Sequence, residues 1–144
     1  MSLLDSLDLI EIKLYYKYIK AGNSKKLFIL ENSKAEEMLK DEEKAKEIEV
    51  LETQWSMLNW KEQNEVMSAS SSTVNQMTGE KQFNFLAYLD AVVKRCLKSW
   101  NIKVNDQVVP VAPDTIDSLP GPVVINLYQQ YEKYIEFSEE ELGN

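Results

Sequence analysis

Carboxylates are the one abundant group in this chain with chemistry to offer: 24 Asp and Glu against 16 Lys and Arg, and no histidine. They can act as general acids and bases or hold hard cations, but either task needs a set that converges on one point. Here they run along the chain in stretches such as Asp41-Glu42-Glu43, the pattern of a solvated helix face. Without histidine the usual general base, the Ser-His and Cys-His dyads and most zinc sites are gone. Asn105-Asp106-Gln107 lacks the later ligands of a calcium loop, and Gly22, Gly79, Gly121 and Gly143 stand apart, so no phosphate-cradling loop exists. Cys96, the only cysteine, cannot form an internal disulfide, and its place on an apolar helix face reads as an inert buried thiol. The expectation is a protein that is not an enzyme and needs no cofactor or metal.

Contact chemistry is the alternative. Trp and Tyr are enriched where proteins bind one another. Trp55, Trp60, Trp100, Tyr128, Tyr131 and Tyr134 fall at helical spacing, the default sign of core packing. Tyr15, Tyr16 and Tyr18 lie instead in LIEIKLYYKYI (residues 9–19), which alternates: Ile10, Ile12, Leu14, Tyr16 and Tyr18 on one side, Glu11, Lys13, Tyr15 and Lys17 on the other. A period of two in β-branched and aromatic residues predicts a half-buried strand. Ala21–Ser24 is turn chemistry and Lys25–Glu31 a second strand, so an N-terminal hairpin is expected, although Leu3, Leu7, Ile10 and Leu14 also fit a helix face. A two-stranded hairpin leaves an edge that accepts another chain. That makes Tyr15, with Lys13 and Lys17 beside it, the expected protein-binding residues.

The elements behind the hairpin are built on one amphipathic stretch, FNFLAYLDAVVKRCLKSW (residues 83–100). Its apolar residues recur at i, i+3, i+4 and i+7, leaving Asp90, Lys94, Arg95 and Lys98 for solvent. Leu86, Leu89, Val93, Cys96, Leu97 and Trp100 are the expected core of this helix, with Leu127 and Tyr131 from a last helix over 122–137. Ser33–Glu36 and Asn59–Glu62 have capping-box spacing. Residues 45–58 keep helical spacing through Ile48, Leu51, Trp55 and Leu58 and carry no Gly or Pro. A helix is therefore preferred there over a short strand. Residues 68–81 read as loop, and 102–111 as a small hairpin turning at Asn105-Asp106. Asp114 caps a short turn through Leu119, Pro122 opens the last helix, and 138–144 is an acidic tail. The sum is a single α+β domain over 1–144, dominated by helix.

A net charge of −8 disfavours a partner bound through phosphate neutralisation and docking on an anionic membrane. No apolar run has the length of a transmembrane helix, and MSLLDSLDL lacks the basic start of a signal peptide. An intracellular protein is expected, with no nucleic-acid or membrane partner.

Three stretches together carry a resemblance: Gln54–Asn64, the helix running into Leu97-Lys98-Ser99-Trp100-Asn101-Ile102, and Asn105–Val111 followed by Ile116–Pro120 and an apolar helix. This order of helix, Trp-Asn, hairpin, Pro, Leu-Pro and helix, over about residues 50–135, resembles small proteins of the tail-morphogenesis modules of tailed bacteriophages. Many of those are tail assembly chaperones, others small tail or baseplate components. This chain departs from them at Asp106-Gln107, where relatives often carry Gly. The resemblance implies a non-enzymatic protein whose partners are tail-tube, tape-measure or baseplate proteins, with self-association a further option. It would work in the host cytoplasm during assembly or stay in the tail of the virion. The charge supports one reading of another class, an acidic DNA mimic that inhibits a host defence or nucleic-acid enzyme.

Overall fold

The alternation over residues 10–19 does make a strand, and a neighbour that the sequence disguises as helix makes the next. The computed structural model describes residues 2–5, 8–71, 73–74, 77, 79 and 81–136. In chain order the elements are β1 (Ile10–Ala21), β2 (Ser24–Leu30), α1 (Asn32–Met38), α2 (Glu42–Ala45), β3 (Glu49–Trp55) and α3 (Trp60–Ser70). The two-residue strands β4 (Thr73–Val74) and β5 (Lys81–Gln82) follow, then α4 (Phe85–Cys96), β6 (Leu97–Trp100), β7 (Lys103–Val104), β8 (Gln107–Val108), α5 (Pro113–Asp117) and α6 (Gly121–Ile135). The frame is a four-stranded antiparallel sheet in the order β2-β1-β3-β6. With 43% helix and 28% strand, the protein is a mixed α+β fold and not the helix-dominated one expected.

Two segments account for the difference. Ile48, Leu51, Trp55 and Leu58 are spaced for a helix, but Leu51, Thr53 and Trp55 also share one face of a strand, and all three are buried. The free edge of β1 decides between the two: paired with it from Ile10↔Trp55 to Tyr16↔Glu49, the backbone of β3 is satisfied and its apolar face turns to the core. The second segment is Leu97–Trp100, expected as the last turn of the core helix. The helix stops at Cys96, Leu97 is already extended (φ −69°, ψ 115°), and Trp100 comes to lie opposite Thr53. The Cys96 carbonyl, which would otherwise be an orphan of the helix end, accepts from Ser56 N at 2.8 Å. Helix and strand therefore join without a loop.

One face of the sheet carries the main core. Ile10, Ile12 and Leu14 of β1, Leu51 and Trp55 of β3, and Leu97 and Trp100 of β6 pack with Leu89, Val93 and Cys96 of α4 and Leu127 and Tyr131 of α6. Leu86, expected in this core, is 69% exposed. At its centre Thr53 Oγ1 donates to the Ile12 carbonyl (2.7 Å) and accepts from Trp55 Nε1 (2.7 Å), while the Trp55 ring stacks on Tyr131 with centroids 4.9 Å apart. The opposite face is covered only in part, by α1, where Tyr15, Leu30 and Ala35 form a second cluster.

Two of the expected caps are not formed; one is at Asp114, which lies inside α5 with Ala112 at the N-cap position. Asn59 Oδ1 accepts from Glu62 N (2.8 Å) and Glu62 Oε1 from Asn59 N (3.2 Å), the capping box read from the sequence. The Ser33 box is not formed, because α1 starts two residues earlier, with Glu31 at the N-cap position and no side-chain cap. Asn105 and Asp106 have φ of 53° and 64°, so the small hairpin turns through a type I′ pair without glycine. Trp100 Nε1 donates to the Val109 carbonyl (2.6 Å) and pins that hairpin to the sheet. Leu127 and Tyr131 of the last helix are buried as expected, while Tyr134 and Ile135 at its end are exposed. Residue 137 and the acidic tail 138–144 lie outside the described residues.

The Thr53 hydroxyl gives the first test. Thr53→Val removes it at constant shape and leaves a buried indole N–H without a partner, which costs about 1–3 kcal/mol. Urea denaturation should show that loss, and Thr53→Ser, which keeps the hydroxyl, should recover most of it.

Candidate protein-binding surfaces

The three expected contact residues do not form one surface. Tyr15 is 7% exposed, lies under α1, and is paired on both sides, with Leu30 and with Val50. It is neither at an edge nor a surface anchor, because β1 is an inner strand of the sheet. Lys17 stands on the outer part of the first hairpin with its ammonium 5.8 Å from the Phe28 ring centre. Lys13 lines a polar cleft with Glu11, Asn32, Glu36 and Gln130, where β2 has ended and the near edge of β1 is uncovered. Even there the edge is shielded: Asn32 Nδ2 donates to the Lys13 carbonyl (3.3 Å) and to Gln130 Oε1 (3.1 Å).

A larger surface forms where α4 meets α6 and the loop before α3. Asn84 caps α4, its side chain accepting from Ala87 N at 3.1 Å, and so fixes the first turn that carries Phe85 and Leu86. Phe85 is 53% exposed and meets Tyr128 edge-on with centroids 6.0 Å apart; Phe83 leans on Tyr88 at 5.6 Å. Phe85, Leu89, Ile125 and Tyr128 line one shallow groove, and Met57, Leu58, Tyr88, Tyr128 and Ile135 a second. Glu132 belongs to both, so the rim carries acid. Trp60, at the start of α3, is 78% exposed. The helix periodicity identified these residues but assigned Leu86 to the core, since a stripe gives direction and not how far the neighbouring layer extends.

A third groove, of about 190 Å³, lies between the first hairpin and the start of α6. Tyr16, Tyr18 and Leu27 of the first hairpin form one wall and Ile102, Leu119, Pro120 and Val123 the other, over a floor of Leu14 and Leu51. The hairpin beyond it is basic: residues 12–30 hold five lysines and no acidic residue, leaving −13 on the remainder of a chain whose total is −8. That signal is plain in the sequence, but whole-chain net charge averages it away.

Among the described residues no group of three or more His, Cys, Asp or Glu side chains is placed to hold a metal ion, and no helix is long and apolar enough to cross a membrane. The perturbed groups belong to the core. Burial first, then the Glu49 carboxylate beside it, raises the Tyr16 hydroxyl well above the ordinary phenol range. Burial does the same to Tyr128 and Tyr131 and pushes the Cys96 thiol up, against a hydrogen bond from Tyr131 that pulls it down. Groups held protonated by folding give stability that is complete below their ordinary values and is lost as pH climbs past them. The urea midpoint should therefore hold to about pH 9 and fall above about pH 10, where an unfolded tyrosine ionises. Tyr16→Phe should flatten part of that fall. Native Cys96, fully buried, should resist maleimide until the chain unfolds.

Set beside models of known protein families, curated proteins and solved structures, the chain matches none, and the surfaces above stand on their own geometry.

Proposed function

We propose that the protein is a non-enzymatic component of bacteriophage tail assembly that binds an apolar stretch of another tail protein on the face formed by α4 and α6. The single observation that carries this reading is the exposed apolar surface of Phe85, Leu86 and Ile125 beside the buried Tyr128, with Glu132, Lys133 and Glu136 on the rim of the groove. Contiguous exposed aromatic and aliphatic groups with a polar rim are the mark of a contact surface. The phage assignment rests on the resemblance over residues 50–135. Within that span Trp100 pins the 103–108 hairpin through Val109, and Leu119-Pro120 leads directly into α6. The partner this surface suits is an amphipathic segment of a tail-tube, tape-measure or baseplate protein, shielded until it polymerises.

The test is coexpression with the tail-tube or tape-measure protein of the same phage, reading solubility and copurification. Leu86→Glu should abolish capture while leaving the thermal midpoint within about two degrees, because an exposed substitution costs little and an acid in the first turn suits the helix dipole. Wild type that neither copurifies with those proteins nor changes their solubility would sink the proposal. Mass spectrometry of purified particles separates a chaperone, which leaves, from a tail component, which stays.

A further inference from the structure

The first hairpin extends past the rest of the sheet. The register of β3 against β1 ends at Tyr16↔Glu49, so beyond that pair β1 and β2 bond only to each other, as far as the two-residue turn at Gly22-Asn23. Gly22 has φ of +65°, the first central position of a type II′ turn. On this ribbon Lys20 stands directly opposite Lys25, next to the Tyr18↔Leu27 pair, and side chains alternate so that all four share the face of the groove. Like charges directly across a ladder destabilise it. An anionic group between them would remove that repulsion. The groove beside them is apolar. A fitting ligand therefore combines carboxylates with apolar side chains a few residues apart.

The chain itself contains such a segment just after Glu136: Phe137-Ser138-Glu139-Glu140-Glu141-Leu142. We propose that this acidic segment of one molecule docks on the basic ribbon and the Leu14–Leu51 groove of a second copy, its carboxylates between Lys20 and Lys25 and its apolar residues in the groove. Reach favours a second copy over the same molecule. The groove includes Val123, near the start of α6, whereas the segment leaves from the far end of that helix. The way back from Ile135 to Val123 is about 18 Å at 1.5 Å per helical residue. Phe137, the first apolar residue of the segment, lies only two residues beyond Ile135, about 7 Å of fully extended chain, and Glu139 about 14 Å, so both fall short of the groove of their own molecule. Between copies the contact is head to tail, groove of one to tail of the next. It uses a different face from α4 and does not depend on the tail-assembly reading.

Two full-length variants test it, each lacking one half of the contact. Lys20→Glu removes the anion site but creates a Glu–Lys pair across the ladder, so its thermal midpoint should stay or rise, and misfolding cannot explain a loss. Glu139→Gln/Glu140→Gln/Glu141→Gln removes the acidic half. Sedimentation velocity at low salt should show wild type associating, each variant alone weakened about tenfold or more, and association weakened as salt shortens the Debye length. An equimolar mixture of the two variants should form a one-to-one complex, since one keeps the tail and the other the groove. Phe137→Ser/Leu142→Ser should weaken association with the charges intact. The proposal is overturned if wild type and the triple Gln variant sediment alike, if the mixture stays monomeric, or if Phe137→Ser/Leu142→Ser associates like wild type. It is equally overturned if the ribbon lysines bind a DNA duplex while the tail has no effect.

Discussion

A single buried indole sets the terms for this fold. Trp55 is fully enclosed, and its N–H must find a partner away from water. Its partner is the Thr53 hydroxyl two residues earlier on the same strand face, which in turn donates to the backbone of β1. The ring of Trp55 then stacks on Tyr131, whose own hydroxyl donates to the Ser56 carbonyl at 2.9 Å. Three side chains thereby tie the central strands to the last helix and to the point where β3 ends. The requirement fixes register: a shift of one residue would turn Thr53 and Trp55 to the other face together and leave both polar groups stranded.

How much of this could be read from the chain alone depends on whether one period or two fitted each stretch. Residues 10–19 alternate and fit a strand best, and they are one. Residues 122–137 fit a helix, and α6 runs from Gly121 to Ile135. Over 48–58 the apolar residues satisfy both periods, since positions 51 and 55 coincide on a helix face and on a strand face. Nothing local breaks that tie. The deciding partner, the second edge of β1, is some forty residues away in sequence. The joint at Leu97 has the same character, because Trp100 closes a helix face as well as it fills a strand position.

The surfaces were harder to foresee than the elements. A strand pattern says which side of Tyr15 faces which way, but whether the polar side is covered depends on α1, whose single buried residue, Ala35, gives little warning of a second small core. Leu86 was assigned inward for the converse reason: the stripe on α4 runs one turn past the layer that covers it. Charge was the opposite case. The run of lysines over 12–30 is plain in the sequence, and only the fold shows that it belongs to a ribbon extending past the rest of the sheet.

The loopless passage from α4 into β6 has a mechanical consequence. With Cys96 bonded to Ser56 and Leu97 already in the ladder, the helix has no hinge about which to roll or slide. Its azimuth is locked to the sheet, and the aromatic groups at its far end are presented at a fixed angle. A visiting chain meets a surface with little freedom left to lose, which keeps the entropic penalty of association on the visitor's side. The helix is thus a rigid lever, and torque applied at Phe85 would be transmitted to the outermost strand of the sheet rather than absorbed between them.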